Sequence, residues 1–341
     1  MDDDDLSPVP LLTLATGFWG SQTLAAAVEL NVFTTLAGGR ELNTTQAARE
    51  LGLAERPADV LLTACAALGL LDKTADRYSN SPLAERYLTA GTSEDFSGFV
   101  RYCAHRSYPA WGRAAAALRH DRPATWDPDH QDSLHGSADA QMMMVYWGAT
   151  HSLSRLTAKA VSSVYDFSRH KRLLDIGGGT GAYPIELCRA HPTLAATVLD
   201  LAHVCEIARQ HIDRAGLNGT VSTTDHDFNS SQSLPDGYDV MLLSRVLHNW
   251  DEAHNRRLLE KCHRSSPPGG VLLIIDHLID DHRDGPAHAA LASMNMLIET
   301  TGGRNYSEAQ YRQWLTDAGF ASIRAVRIQA PGGNTALIAA A

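Results

Sequence analysis

The chain has 341 residues, 44% of them hydrophobic, and its 39 acidic and 29 basic side chains leave a formal net charge of −10. That length favours two domains with apolar residues enough for two cores, and the negative charge speaks against nucleic-acid backbone or an anionic membrane as a partner. Cys65, Cys103, Cys188, Cys205 and Cys262 are widely spaced with no C-x-x-C pair, so neither a disulfide framework nor a zinc ribbon fits, and reduced thiols in a cytoplasmic protein are expected.

The opening, MDDDDLSPVP, is acidic where a secretion signal would be basic and then apolar. No stretch approaches the roughly 18 uninterrupted apolar residues of a membrane span. Residues 1–110 read as a mainly helical, alanine-rich domain, with apolar residues at helical spacing over 11–36 and 58–71. Leu42-Asn43-Thr44-Thr45-Gln46 predicts the cap of a short helix, 54–70 a second helix, and LLDKTADRYSNSPLAERYL the hairpin of a winged helix. The would-be recognition helix, ERPADVLLTACAALG, offers a single arginine among acidic and apolar residues. Such a surface cannot grip phosphates, and DNA binding is not expected.

Residues 111–165 read as a connector of further helices, including WGRAAAALRHDRP and AQMMMVYWGATHSL. From 166 to 341 the pattern changes to alternating strands and helices, which predicts a doubly wound, mainly parallel sheet. Strands are expected at 172–176, 196–200, 221–224, 240–244, 270–276, 322–328 and 335–339, the last pair as a hairpin.

The most informative segment is LLDIGGGTG at 173–181. It reads as a buried strand entering a glycine loop, where Gly177 and Gly179 let a ligand approach the backbone because they carry no Cβ and tolerate positive φ. The helix that follows would aim its first amides at a carboxylate or phosphate. A nicotinamide site is a rival, since Gly177, Gly179 and Ala182 satisfy G-x-G-x-x-G/A and Asp200 follows after a second apolar run. It is disfavoured because no second nucleotide-binding half follows the first.

Downstream come TTDHDFNSSQSLP, then DVMLLSRVLHNWDE, then SPPGGVLLIIDHLI. This succession resembles the class I S-adenosylmethionine-dependent methyltransferases, in particular the small-molecule O-methyltransferases of the caffeate, acetylserotonin and bacterial polyketide-tailoring type. The quoted residues carry the likeness: Asp175 to Gly181 as the glycine-loop motif, Asp200 as the acid ending the second strand, Asp227-Phe228 as the acid-aromatic pair, and Leu247-His248-Asn249-Trp250 as an LHDW-like motif. GFWGSQTLAAAVELNVFTTLA extends it to that family's N-terminal helices.

The resemblance implies an α/β fold, a seven-stranded doubly wound Rossmann-like methyltransferase domain preceded by a mainly helical winged-helix dimerisation domain, and a homodimer to which Phe18 and Trp19 could contribute. It implies S-adenosyl-L-methionine as cofactor, no metal, and a small-molecule methyl acceptor. Loop amides at Gly177 to Gly179 would take the methionyl carboxylate, Asp200 the ribose hydroxyls, and Asp227 the adenine amino group with Phe228 on the ring face. Ser244 and Arg245 would approach the cofactor from the end of the fourth strand. His248 would be the general base, a task that suits an imidazole because it is largely neutral at neutral pH. Asn249, Asn295, Met296 and Thr300 would face the acceptor, with Tyr102, His105, Tyr146 and Thr150 closing the opposite side.

The chain departs from the family at Asn249 and Asn305, where acids are usual, and at Asp276, where glutamate is usual; His226 stands where glycine is usual. The two asparagines remove negative charge from around His248, which weakens it towards an unactivated phenol. An acidic hydroxyl, an amine or an enolisable carbon therefore stays open, as does a metal-assisted variant using His248, Asp276 and His277. A methyltransferase fold that holds the cofactor without transferring its methyl is a third reading, against which the presence of His248 argues.

Overall fold

The alternating pattern from residue 172 onward becomes, in the computed structural model, one seven-stranded sheet. The structure describes residues 7–131 and 140–341, with the side chains of 140–142 also outside the description, as is the acidic opening. In chain order the strands are β4 (Arg172–Ile176), β5 (Ala195–Asp200), β6 (Val221–Asp225), β7 (Val240–Ser244), β8 (Val271–Asp276), β9 (Ser322–Ala330) and β10 (Gly333–Ala340), following three short strands described below. Their order across the sheet is β6-β5-β4-β7-β8-β10-β9. The first five pair in parallel, and β10 runs antiparallel between β8 and β9. The chain order reverses between β5 and β7 on either side of β4, which makes the edge beyond the carboxyl end of β4 the natural ligand crevice.

Period-two alternation sorts the strand residues between two cores. Leu173, Val198, Val240, Leu242, Leu273, Ile275 and Ile338 point to one face, where they pack with the helices Ala140–Val164, Ala182–Ala190 and Ala202–Ala215. Leu174, Ile176, Leu199, Met241, Leu243, Leu272 and Ile274 point to the other, against Glu252–Ser265 and Glu308–Ala318. With both faces covered, the central strands can be apolar throughout: β7 reads VMLLS and β8 VLLIID. Full burial of each such leucine or isoleucine contributes about 1.5–3 kcal/mol, so the strand ends that carry polar groups are held on a stiff scaffold.

The chain divides between Pro109 and Ala110 into two compact units. In the N-terminal unit, Asn43 caps the helix Thr44–Leu51 in a capping box with Gln46, as LNTTQ predicts. The helix Glu55–Ala67 follows, and then β2 (Leu71–Thr74) and β3 (Arg77–Asn80) form the expected hairpin, to which β1 (Leu42–Asn43) adds a short antiparallel edge. Val28, Phe33, Leu62 and Tyr78 fill this unit's core. The helical run expected over 11–36 is broken into Val9–Ala15, Gly17–Glu29 and Val32–Thr35, the last break at Asn31 with φ of 56°. Among the described residues no helix is long and apolar enough to cross a membrane.

Candidate active site

Five parallel strands deliver their carboxyl ends to one edge, and most of the candidate residues lie there. β4 ends in the loop 177–181, where Gly177, Gly179 and Gly181 have φ of 68°, 56° and 74°. A Cβ on Gly177 would stand 2.9 Å from Val246 Cγ2 and 3.3 Å from Phe228 Cε1, and one on Gly179 would stand 3.2 Å from the Trp147 ring. The loop is therefore already packed against Phe228 and Trp147, and the missing side chains are what permit this. Gly177 and Gly179 do not hold their amides free: the first donates to Leu199 O at 2.8 Å and the second to Asp200 Oδ2 at 2.9 Å. In this structure both amides are thus engaged with β5 and the residue that ends it.

Beneath the loop, Asp175 is buried at 2% exposure and its Oδ2 has no hydrogen-bond partner. A Cβ on Gly178 would fall 2.5 Å from that oxygen. Burial, and then the negative charge of Asp200, push the Asp175 carboxyl up to about 8. Asp200 is half-buried at the end of β5, where Oδ2 takes the Gly179 amide and Oδ1 the Leu201 amide. Burial raises it too, with those amides acting the other way.

Beyond β6, Asp227 is exposed and accepts the Asn229 amide at 2.8 Å, while Phe228 is half-buried beside Gly177. Ser244 ends β7 with its Oγ buried near the Tyr183 hydroxyl. Arg245 follows with φ of 55°, a left-handed conformation that costs a non-glycine residue on the order of 1 kcal/mol. Its amide is tied to Ile275 O at 2.9 Å, which holds the turn against β8.

His248 lies in the single 3-10 turn Leu247–Asn249 that follows and is 4% exposed. Asn255 Nδ2 donates to Leu247 O, and Tyr306 OH to Trp250 O at 2.6 Å, so both sides of the turn are pinned. Gly303 packs so closely that a Cβ there would stand 2.9 Å from the Asn249 carbonyl carbon. His248 Nδ1 is 2.6 Å from Asp276 Oδ1, at the end of β8. Burial would raise the Asp276 carboxyl, but the His248 ring, its hydrogen bond and the His277 amide outweigh burial and hold it below the usual carboxylate range. An ionised carboxylate only accepts, so Nδ1 carries a proton, and in the neutral ring Nε2 is then the nitrogen with the lone pair.

The expected acceptor-facing residues are less uniform. Asn249 spends its amide group on Arg245 O and Val246 O, Thr150 bonds back to Tyr146 O, and Thr300 caps its own helix through Met296 O and the Gly303 amide. Asn295 accepts from Trp111 Nε1 at 2.9 Å, Met296 is buried, and Tyr146 stands edge-on to Trp147 at 5.0 Å. Tyr102 and His105 belong to the N-terminal unit, where Tyr102 is buried and His105 Nε2 meets Glu29 Oε1. His277 turns to Pro331 O, and among the described residues no cluster of metal-ligating side chains forms.

Asp276 is the residue that sequence reasoning undervalues, since the motif marks it only as a departure and a metal candidate. Its position at the end of an apolar strand on the same edge as His248 is the available signal. Sequence reasoning misses Trp147 and His151 as well. His151 Nδ1 meets Thr180 Oγ1 at 2.8 Å and its ring stacks on His211, with burial and the charges around it pushing His151 down to about 3, so it stays neutral. These two side chains fasten the Ala140–Val164 helix to the glycine loop.

The sheet order, the glycine turn after β4, the acid ending β5 and the His-Asp pair at the ends of β7 and β8 define an S-adenosylmethionine-dependent methyltransferase. Residues 111–321 match the O-methyltransferase domain family and residues 12–90 the O-methyltransferase dimerisation domain. The chain is 44% identical to the 3-hydroxy-5-methyl-1-naphthoate 3-O-methyltransferase of Streptomyces sahachiroi, over 96% of its own length and 93% of that protein. It is 32% identical to the tetracenomycin polyketide synthesis 8-O-methyltransferase of Streptomyces glaucescens, over 95% and 94% of the two chains. The crystal structure of human N-acetylserotonin methyltransferase in complex with S-adenosylmethionine superposes with a TM-score of 0.82 at 28% identity, covering 100% of this chain and 99% of that one. The chain belongs to the O-methyltransferase family, and its cofactor is S-adenosylmethionine.

Two outcomes follow from the loop. Gly177→Ala places a Cβ at positive φ against Val246 and Phe228, and we expect S-adenosylhomocysteine affinity to fall at least about tenfold by calorimetry, a loss of about 1.4 kcal/mol; unchanged affinity would remove the loop from the binding wall. Asp175, raised to about 8 when folded, favours the folded state only while protonated, so its contribution is present at low pH and lost as pH rises from the ordinary carboxyl range through about 8. Asp175→Asn in the ligand-free protein should flatten that part of the stability profile measured by denaturant unfolding.

Proposed function

We propose that the chain transfers the methyl group of S-adenosylmethionine to a hydroxyl of a small aromatic natural product, with His248 as general base. The observation that carries this reading is the buried bond between His248 Nδ1 and Asp276 Oδ1 at 2.6 Å, placed at the strand edge where open α/β sheets bind their ligands. It leaves Nε2 as the lone-pair nitrogen, able to take the acceptor's hydroxyl proton. Asp276 then balances the positive charge that arrives on the ring. When bound, the cofactor supplies a methyl on a positively charged sulfur.

The residues present fit that cofactor. Gly177 and Gly179 bring Phe228 and Trp147 close against the loop as walls of the site, and each Asp200 oxygen keeps a second lone pair for a ribose hydroxyl beyond the amide it accepts. Phe228, beside Gly177, offers a ring face for the adenine, with Asp227 at its edge for the amino group. The unpartnered Oδ2 of Asp175 under the loop would meet a cationic amino group, whose charge would draw the raised carboxyl back towards ionisation.

For the acceptor, Tyr146 and the Trp111–Asn295 pair offer aromatic surface with few polar groups, backed by the buried Trp147 and Met296. The naphthoate specificity of the Streptomyces sahachiroi relative makes a hydroxynaphthoate the first acceptor to try. Asp276 supplies the carboxylate that Asn249 and Asn305 lack, which favours a hydroxyl over the amine or carbon acceptors.

The dimerisation domain supports a homodimer. In the N-terminal unit Val9, Leu11, Leu12, Leu14, Phe18 and Trp19 are exposed on consecutive helices, an apolar strip that a second copy would cover.

With labelled cofactor and 3-hydroxy-5-methyl-1-naphthoate, His248→Ala should lower kcat by about 10²–10⁴-fold with S-adenosylhomocysteine affinity intact; wild-type turnover in that variant would remove the general-base role. Trp19→Asp should shift the protein from dimer towards monomer in sedimentation at micromolar concentration, and an undisturbed dimer would place the interface elsewhere.

A further inference from the structure

Asp276 presents its two oxygens to different partners. Oδ1 accepts from His248 Nδ1 at 2.6 Å and from the His277 amide at 2.9 Å, while Oδ2 accepts from the Tyr311 hydroxyl at 3.2 Å. Tyr311 is fully buried, with the rings of Tyr306 and Trp314 edge-on at 5.9 and 5.4 Å. It stands near the start of the helix Glu308–Ala318, whose first turn is set by the capping box of Ser307 and Gln310. Among such rings a phenylalanine would fill the same space, and a buried hydroxyl persists there because it has an acceptor. Burial, the Asp276 charge and the bond to it all push the Tyr311 hydroxyl well above an ordinary phenol, so it stays protonated and donates.

We propose that Tyr311 is a positioning residue for methyl transfer: its hydroxyl pins Asp276 Oδ2 so that Oδ1 stays in line with His248 Nδ1 and Nε2 faces the acceptor. The inference rests on the general-base reading of His248. A carboxylate with one oxygen unheld can turn about χ2 and carry the imidazole with it. Here donors from three separate segments, the 3-10 turn, the residue after β8 and the Glu308–Ala318 helix, leave it one orientation. A misplacement of the base by a fraction of an ångström is felt in turnover and not in cofactor binding.

The test is Tyr311→Phe, alone and combined with His248→Ala, together with 3-fluorotyrosine at 311, which keeps both ring and hydroxyl. We expect Tyr311→Phe to lower kcat by about tenfold, with cofactor KM and S-adenosylhomocysteine affinity within about twofold of wild type. The fluorotyrosine protein should keep wild-type turnover, and Tyr311→Phe should cause no further loss once His248 is alanine. In ligand-free protein carrying 15N-histidine, the His248 Nδ1 proton resonance should move in Tyr311→Phe. Unchanged kcat with an unmoved resonance, or a further loss on the His248→Ala background, would overturn the role. Should His248→Ala itself retain full turnover, the general-base reading falls and this inference with it; loss in His248→Ala with none in Tyr311→Phe overturns the Tyr311 role alone. If Tyr311→Phe does not fold, the fluorotyrosine protein decides: a shifted His248 resonance supports the link and an unmoved one overturns it.

Discussion

The arrangement depends on the parallel register between β7 and β8. Ser244 lies opposite Ile275, and the Arg245 amide closes onto Ile275 O, so the turn that leaves β7 emerges beside the last residue of β8. That register, with the turn pinned by Asn255 and Tyr306, brings His248 within 2.6 Å of Asp276. A slip of one residue would turn every side chain of the strand to the opposite face, exchanging the two cores. The apolar residues on both faces of β7 and β8 therefore fix the polar geometry at their ends. The hydrogen bonds at the edge keep their geometry because the sheet behind it is closely packed.

The same edge collects strain and unmet polar groups. Arg245 sits at positive φ, and Asp175 is buried without a partner for Oδ2. Buried polar atoms without partners are costly, and here they line the crevice that a charged, hydroxyl-rich cofactor would enter. A ligand that supplied the missing partners would restore stability given up at this edge.

The neighbouring segments show how a small number of side chains tie this edge down. Trp147 packs on Gly179 and His151 reaches Thr180, so the Ala140–Val164 helix holds the glycine loop from one side. Gly303, Asn255 and Tyr306 clasp the His248 turn from the other. Three of the residues expected to face the acceptor, Asn249, Thr150 and Thr300, turn their polar atoms to the backbone and shape the wall without addressing a ligand through those bonds. Their short side chains explain this, since a hydroxyl or amide on a helix or tight turn finds a carbonyl three or four residues away more readily than a distant partner.

The family, the seven strands and the glycine loop were legible in the sequence, with strand ends within about two residues, because hydrophobic period and glycine spacing are local signals. His248 could be singled out as a candidate base from its motif alone. The sequence did not show that Asp276 would be its partner, 28 residues on, or that Tyr311, 35 residues beyond Asp276, would hold the second oxygen. Nor did it show that the Gly177 and Gly179 amides would be taken up by Leu199 and Asp200. Each of these is a hydrogen bond between segments distant in the chain, and its existence rests on strand register and helix placement. Local sequence determines which residues are able to donate or accept; only the packed sheet decides which of them meet.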